Sequence, residues 1–288
     1  MLGIVTVLYN QENLLDDFFE SINNQNIKEF KIYFIDNSSN RNAYEKTFEL
    51  NKKYGFNIDL IYNNNNLGVA GGNNIGIRRA ISDGCDFVLL SNYDINIKKT
   101  NVVNDLLKLA YRDNSKIYVP KIYYYGTNII WYGGGYIDYI RGITVHNGDN
   151  ENDRGQCDAI GLTNYAPTCF MIIHKNIFEN VGLMDDKYFV YFDDTDFVER
   201  CTKKGVRIFY DPNIIIDHKV SQTTGGNWSE FSIRLLNRNR IYFLRKNKNK
   251  FYASVCTIYL TLFFFKHIKV LWNIKNKYFI AIVDGWKL

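Results

Sequence analysis

The chain has 288 residues, room for one large domain with an appendage, and its 46% hydrophobic and 23% charged content is that of a globular protein. Five scattered cysteines (Cys85, Cys157, Cys169, Cys201, Cys256) contain no Cys-x-x-Cys pair, which excludes a disulfide framework and a cysteine zinc site and suits reduced cytosolic thiols. The net charge of +5 is unevenly spread: residues 229–288 carry 12 Lys/Arg against Glu230 and Asp284, a net of +10, while residues 1–228 have a net of −5.

The N-terminus opens on the apolar run Ile4–Tyr9, a buried strand without the basic flank of a secretion signal. The pattern then predicts a helix over Asn13–Ile22, a strand over Lys31–Ile35, a helix over Tyr44–Tyr54 and a strand over Ile58–Tyr62. A helix over Gly72–Ser82 and a strand over Asp86–Leu90 complete the run. This β-α-β-α order predicts a mostly parallel sheet covered by helices on both faces. Ligands of such sheets lie beyond the carboxyl ends of the strands, where Tyr9-Asn10, Asp36-Asn37 and Asn92-Tyr93-Asp94 fall. Residues 117–161 predict an antiparallel excursion of short aromatic strands. They are followed by a strand Cys169–Ile173, a helix Lys175–Val181, an acidic helix, and strands Val206–Tyr210 and Ile214–Ile216.

From Ser229 the character changes. A basic helix over Ser229–Lys246 precedes the uncharged stretch Phe251–Phe265, flanked by lysines. As a helix it would be roughly 22 Å long, short of the ~30 Å hydrocarbon core. An interfacial or re-entrant helix on an anionic leaflet is therefore expected, which puts the chain on the inner face of the cell membrane. A buried core helix is the alternative.

Asp193-Asp194-Thr195-Asp196, after the aromatic run Tyr188–Phe192, concentrates three carboxylates at a helix start. Anions there are favoured by the helix dipole, and apolar surroundings make a carboxylate a better proton acceptor. A helix cap is the plainer reading. Asn66-Leu67-Gly68-Val69-Ala70-Gly71-Gly72-Asn73-Asn74 opens a helix after a strand, so its backbone can approach a ligand, although it is neither a dinucleotide fingerprint nor a P-loop. Asp94 could hold Mg²⁺ or Mn²⁺ beside a diphosphate, and His218, just past a strand end, could be a second ligand.

Taken together, and in this order along residues 3 to 225, these segments resemble the inverting family 2 glycosyltransferases of the GT-A fold, rhamnosyltransferase-like branch of bacterial surface polysaccharide synthesis. Further segments that carry the resemblance are Thr6–Asn10, Ile35–Ser39, Val181–Asp185, Arg200 and Asp211-Pro212. The resemblance implies a catalytic domain over 1–225, with a nucleotide-sugar half over about 1–98 and an acceptor half over 99–225, followed by a helical membrane-associating region over 226–288. It implies a nucleoside pocket lined by Thr6, Tyr9, Asn10 and Asp36. Asn66, Gly68, Gly71, Gly72, Asn74 and Asn92 would lie near the nucleotide-sugar, and Asp94 with His218 would hold the metal. Asp194 would be the general base, with Asp193 and Asp196 orienting it or the acceptor. The implied donor is a dTDP- or UDP-sugar, dTDP-rhamnose first, and the implied acceptor a lipid-linked saccharide. This chain departs from the family pattern at Asn92, where an acid is frequent, at Asp193, where Glu is common, and at Tyr165–Thr168, which replaces a glycine-containing turn. A nucleotidyltransferase is opposed by Glu12, Asp16 and Asp17 near the first strand, where a basic loop would be needed. A non-catalytic saccharide-binding relative is opposed by the retained acids, and nucleic-acid binding by the lack of any recognition module. Homo-oligomerisation is left open.

Overall fold

The computed structural model describes residues 1–220 and 229–288. The boundary expected near residue 225 lies outside them. Strands β1 (Leu2–Leu8), β2 (Phe30–Asp36), β3 (Ile58–Tyr62) and β4 (Phe87–Ser91) alternate with helices α1 (Leu15–Asn23), α2 (Asn42–Tyr54) and α3 (Gly68–Ser82). All four strands are parallel, in the order β3-β2-β1-β4. The connections leave β1 in opposite directions, so a crevice opens beyond the carboxyl ends of β1 and β4.

Helix α3 begins at Gly68, four residues before the start its glycines predict. Gly72 and Gly76 therefore lie inside the helix and face β1. A Cβ on Gly72 would come within 2.8 Å of the Val7 side chain, and one on Gly76 would overlap Val5. These two glycines serve close helix–strand packing.

The second half adds β5 (Ile95–Asn96), α4 (Val102–Arg112), β6 (Lys116–Tyr124), β7 (Ile129–Tyr132), β8 (Gly135–Asp138), β9 (Ile143–His146), β10 (Glu151–Asn152) and β11 (Gly161–Thr163). Then come β12 (Phe170–His174), α5 (Lys175–Val181), α6 (Asp193–Lys203) and β13 (Arg207–His218). Strand β12 lies antiparallel to β4, β6 follows it, and β13 runs parallel to β6. The aromatic region thus forms the expected antiparallel excursion, with β8 and β9 as a separate hairpin. Two strands expected at 206–210 and 214–216 are one strand, β13, whose register slips between Asp211 and Ile215. Pro212 sits in that slip, where a residue lacking an N–H interrupts the ladder. Helix α4 has no counterpart among the expected elements, although Val102, Val103, Leu106 and Ala110 recur at helical spacing and are buried.

The tail forms α7 (Glu230–Asn247), α8 (Lys250–Lys266), α9 (Ile268–Leu271) and α10 (Lys275–Lys287). Ser229 caps α7, accepting from the Ser232 N–H, and Asn249 caps α8. Helix α7 packs against α6, α8 and α10, which joins the tail to the second half of the sheet domain. Among the described residues no single helix is long and apolar enough to cross a membrane; α8 and the helices after it form an apolar pair bent by 90°.

Candidate active site

The rim of β1 and β4 is stitched by one side chain: the Tyr93 hydroxyl accepts from the Tyr9 N–H at 3.2 Å and donates to the Tyr9 carbonyl at 3.0 Å. Asn10, with φ of 50°, donates its N–H to Ser38 Oγ at 2.9 Å and accepts from the Ser39 N–H at 3.0 Å. It ties the loop after β1 to the loop after β2. Asp36 ends β2 fully buried; Oδ1 accepts from the Ser38 N–H, but Oδ2 has no partner, and burial raises its pKa.

A cavity of about 130 Å³ opens at this rim, lined among others by Tyr9, Asn66, Gly68, Asn73, Asn92 and Asp94. Other residues expected there stand elsewhere. Thr6 points to the opposite face of the sheet from the cavity-lining Val7, buried and with its hydroxyl unpartnered. Gly71 and Gly72 lie within α3. Asn74 faces away and clamps the Met184 backbone, donating to its carbonyl at 2.8 Å and accepting from its N–H at 3.0 Å. Its neighbour Asn73 takes the place in the cavity wall.

Asp94 and His218 meet across the sheet: Oδ1 and Nε2 are 3.0 Å apart, both groups buried. Register brings them together, because β13 pairs His218 with Ile95 and the Lys219 N–H donates to the Asp94 carbonyl at 2.9 Å. The Trp131 ring packs edge-on to His218 at 4.6 Å, and His218 Nδ1 is buried without a partner. No cluster of three or more His, Cys, Asp or Glu suited to a metal occurs among the described residues.

The acidic helix begins at Asp193, so all three carboxylates lie in its first turn. The approach is strained: Phe189, Tyr191 and Phe192 have φ of 67°, 66° and 67°, which non-glycine residues adopt only when their surroundings compel it. What compels it is α7. Asn239, fully buried, donates from Nδ2 to the carbonyls of Tyr188, Val190 and Tyr191 at 2.9, 2.9 and 2.8 Å. Arg238 donates to the carbonyls of Lys187 and Tyr188.

Asp193 and Asp194 face a second cavity of about 300 Å³. Asp194 Oδ2 accepts from the Tyr165 hydroxyl at 2.7 Å, and Oδ1 accepts from the Thr195 N–H at 2.6 Å and hydroxyl at 3.0 Å. Its orientation is therefore set from both sides. Burial first, and then the charge of Asp194, push the Asp193 carboxyl up to about 8. Asp196 does not line the cavity. Its fully buried carboxylate is held by Arg200 Nε and Lys246 Nζ, each at 2.8 Å, by Asn247 at 2.7 Å and by the Tyr188 hydroxyl at 3.2 Å. It fastens α6 to α7.

The two cavities adjoin, sharing Val69, Asn92 and Val190, and His218 lines the larger one while touching Asp94 in the smaller. A single cleft thus has Asp94 on one flank and Asp194 on the other. Tyr165, Trp131, Asn73, Asn239 and Arg240 belong to it or support it and were absent from the expected set. The one sequence signal for Asn239 is an amide at a buried position amid the basic residues of α7.

A mostly parallel sheet with acids at its strand ends and a helical tail is the architecture of GT-A glycosyltransferases. Residues 3–182 match the model of glycosyl transferase family 2, and the chain belongs to that family. It is 24% identical over 232 residues to the dTDP-rhamnosyl transferase RfbF of Shigella flexneri, across 75% of this chain and 68% of that protein. With the low-salt glycan biosynthesis hexosyltransferase Agl10 of Haloferax volcanii it shares 24% over 224 residues, 72% of this chain and 63% of that protein. Among solved structures, GalNAc-T7 with UDP, GalNAc and Mn²⁺ superposes with a TM-score of 0.65 at 15% identity, over 85% of this chain and 49% of that one. The mannosyltransferase PcManGT of Pyrobaculum calidifontis, in complex with GDP-Man and Mn²⁺, superposes with a TM-score of 0.61 at 10% identity, over 99% and 87%. The protein is a glycosyltransferase.

Proposed function

We propose that this glycosyltransferase inverts the anomeric centre of a dTDP- or UDP-sugar as it moves the sugar to a hydroxyl of a lipid-linked saccharide, in the assembly of a surface polysaccharide. The observation that carries the reading is the single cleft with Asp194 on one flank and the Asp94–His218 pair on the other. Asp194 takes the proton of the acceptor hydroxyl, whose oxygen attacks the anomeric carbon as the nucleoside diphosphate leaves from the opposite side. Tyr165 and Thr195 hold the accepting carboxylate in place. Asp193, its pKa raised, stays largely protonated near neutral pH and spares Asp194 a second adjacent charge.

On the donor side, Asp36 keeps a partnerless Oδ2 that would accept the N3–H common to uracil and thymine, but it is fully buried and lines neither cavity, so the base reaches it only if the loops after β1 and β2 open. Asp94 and His218, an oxygen and a nitrogen donor converging at the rim 3.0 Å apart, would be the residues to hold a divalent ion, Mn²⁺ or Mg²⁺. With only two protein ligands, the remaining positions would go to phosphate oxygens and water. Bound there, such an ion would supply positive charge against the leaving diphosphate. The Shigella flexneri relative is named a dTDP-rhamnosyl transferase, which makes dTDP-rhamnose the first donor to try.

Helix α8 turns Ile258, Leu262 and Phe265 outward at 61%, 65% and 60% exposure, between lysine-rich flanks. This surface suits the interfacial zone of an anionic membrane, on its cytoplasmic face. Sedimentation with anionic vesicles should retain the protein at low salt and release part of it at high salt; indifference to vesicles would remove the membrane from the proposal.

The deciding experiment screens dTDP- and UDP-sugars with Mn²⁺ for thermal stabilisation, then assays transfer by wild type and Asp194→Asn. A general base contributes about 10²–10⁴-fold, so the variant should lose that much turnover while keeping donor affinity. Turnover within threefold of wild type would refute the assignment.

A further inference from the structure

The larger cavity does not end at α7. Ile143, Leu236 and Arg240 are shared with another cavity, of about 270 Å³, enclosed by α7, α8 and α10. Its walls are mostly apolar and aromatic, including Ile233, Leu260, Phe263 and Leu271. Two groups break that pattern. Arg240 Nε and Asn237 Nδ2 are buried donors without a hydrogen-bond partner, although Asn237 lies against the Tyr278 hydroxyl. Asn237 is only 5% exposed and, three residues before Arg240, shares its helix face.

Among the described residues no carboxylate pairs with Arg240. The titratable groups nearest its charge are Cys256, Tyr259 and Tyr278, and burial, the dominant influence, lowers its pKa. Its stem cannot swing freely toward solvent, since it packs over the backbone of Gly142, where a Cβ would sit 2.6 Å from Arg240 Cγ. A guanidinium so placed has a desolvated Nε and no counter-charge from the protein, a costly state unless a ligand supplies the charge. The ligand must be an oxyanion, which the guanidinium fork matches. A sugar acid would leave its hydroxyls facing apolar walls, whereas an oxyanion carried on a hydrocarbon satisfies both parts of the cavity.

We propose that this cavity is the acceptor's lipid-phosphate subsite: Arg240 and Asn237 hold the phosphate, the apolar walls hold the start of the hydrocarbon chain, and the saccharide passes through the shared opening to Asp194. The assignment rests on the transferase reading above and specifies its acceptor as an anionic lipid phosphate. It also connects the site to α8, whose outer face exposes Ile258, Leu262 and Phe265.

Calorimetry on the full chain with octyl phosphate, octyl glucoside and inorganic phosphate, all below micellar concentrations, tests it. Octyl phosphate should bind at least tenfold more tightly than either control, and Arg240→Gln should weaken it at least tenfold. Asn237→Asp gives Arg240 a counter-charge within the protein, so it should raise Tm and abolish octyl phosphate binding; this variant decides the matter if Arg240→Gln fails to fold. Equal binding of octyl phosphate and octyl glucoside, or undiminished binding by the variants, overturns the proposal. Inorganic phosphate binding as tightly as octyl phosphate also overturns it, by making the site one for a free anion. Binding of dTDP and UDP is measured in parallel. Its absence in every form would defeat the transferase reading while leaving the octyl phosphate result to be read independently.

Discussion

Replacing Asn239 with leucine should disable the enzyme from a position that no substrate need touch. Leucine is of similar size, so the change removes the amide, including the Oδ1 that accepts from Arg238 Nε at 2.8 Å, and little else. Three carbonyls, of Tyr188, Val190 and Tyr191, lose their donor, and the amide has two hydrogens to give. Leaving buried acceptors unsatisfied costs about 1–3 kcal/mol each, so two lost bonds amount to about 2–6 kcal/mol. Part of that is recovered, because Phe189, Tyr191 and Phe192 are held at positive φ and relaxation of one of them releases on the order of 1–3 kcal/mol. The relaxation itself is the harm. It moves the start of α6, and a displacement of about 1 Å at a catalytic group can reduce the rate about 10²-fold. Urea unfolding should show a net loss of about 2–4 kcal/mol, and transfer assays a fall in kcat of about 10²-fold with donor affinity nearly intact. If Asn239→Leu lost that stability yet turned over like wild type, the clamp would not be what positions Asp194, and the reasoning would be wrong.

Asp193 gives a pH signature. Its carboxyl is raised from 3.8 to about 8 in the folded protein, so the folded state holds a proton that the unfolded state has released. Stability contributed by that proton is complete below the unfolded pKa and is lost as pH rises through about 8. Asp193→Asn should therefore gain Tm over wild type progressively from pH 5.5 to 9; a difference that stays flat with pH counts against burial as the cause. Gly68→Ala places a Cβ into the Phe189 carbonyl at a φ of +71°, which should shift the wall between the two cavities and weaken donor binding at least tenfold, measured by calorimetry. Asp196→Ala leaves Arg200 and Lys246 without their shared carboxylate and should cost about 3–5 kcal/mol in denaturant unfolding, while donor affinity in the surviving folded protein stays within threefold.

The alternation of β1 to β4 with α1 to α3 was legible because a parallel strand buried on both faces is an unbroken apolar run and its helices are amphipathic. The rim followed from it, since strand ends can be read off the same pattern, and Tyr9, Asn92 and Asp94 stand there. Helix starts were less legible. Glycines at 68 and 71 suggest a loop before a helix start at Gly72, yet α3 already begins at Gly68, and it is Gly72 and Gly76 that pack closely on Val7 and Val5. Asn73 and Asn74 are indistinguishable in sequence. One lines a cavity and the other clamps Met184, 110 residues away.

The sequence by itself determined the order of elements, the strand ends that carry polar residues, and the concentration of acids at the start of α6, because these depend on periodicity and on neighbours a few residues apart. Only the tertiary structure decided what each acid faces. On a helix turning about 100° per residue, Asp196 points away from Asp194, and it meets Lys246 and Asn247 from α7 while Asp194 meets Tyr165 from the opposite wall. The pairing of Asp94 with His218, the clamp at Asn239 and the unpaired Arg240 have the same origin: their partners, or the lack of them, come from chain segments tens of residues apart that only packing brings together.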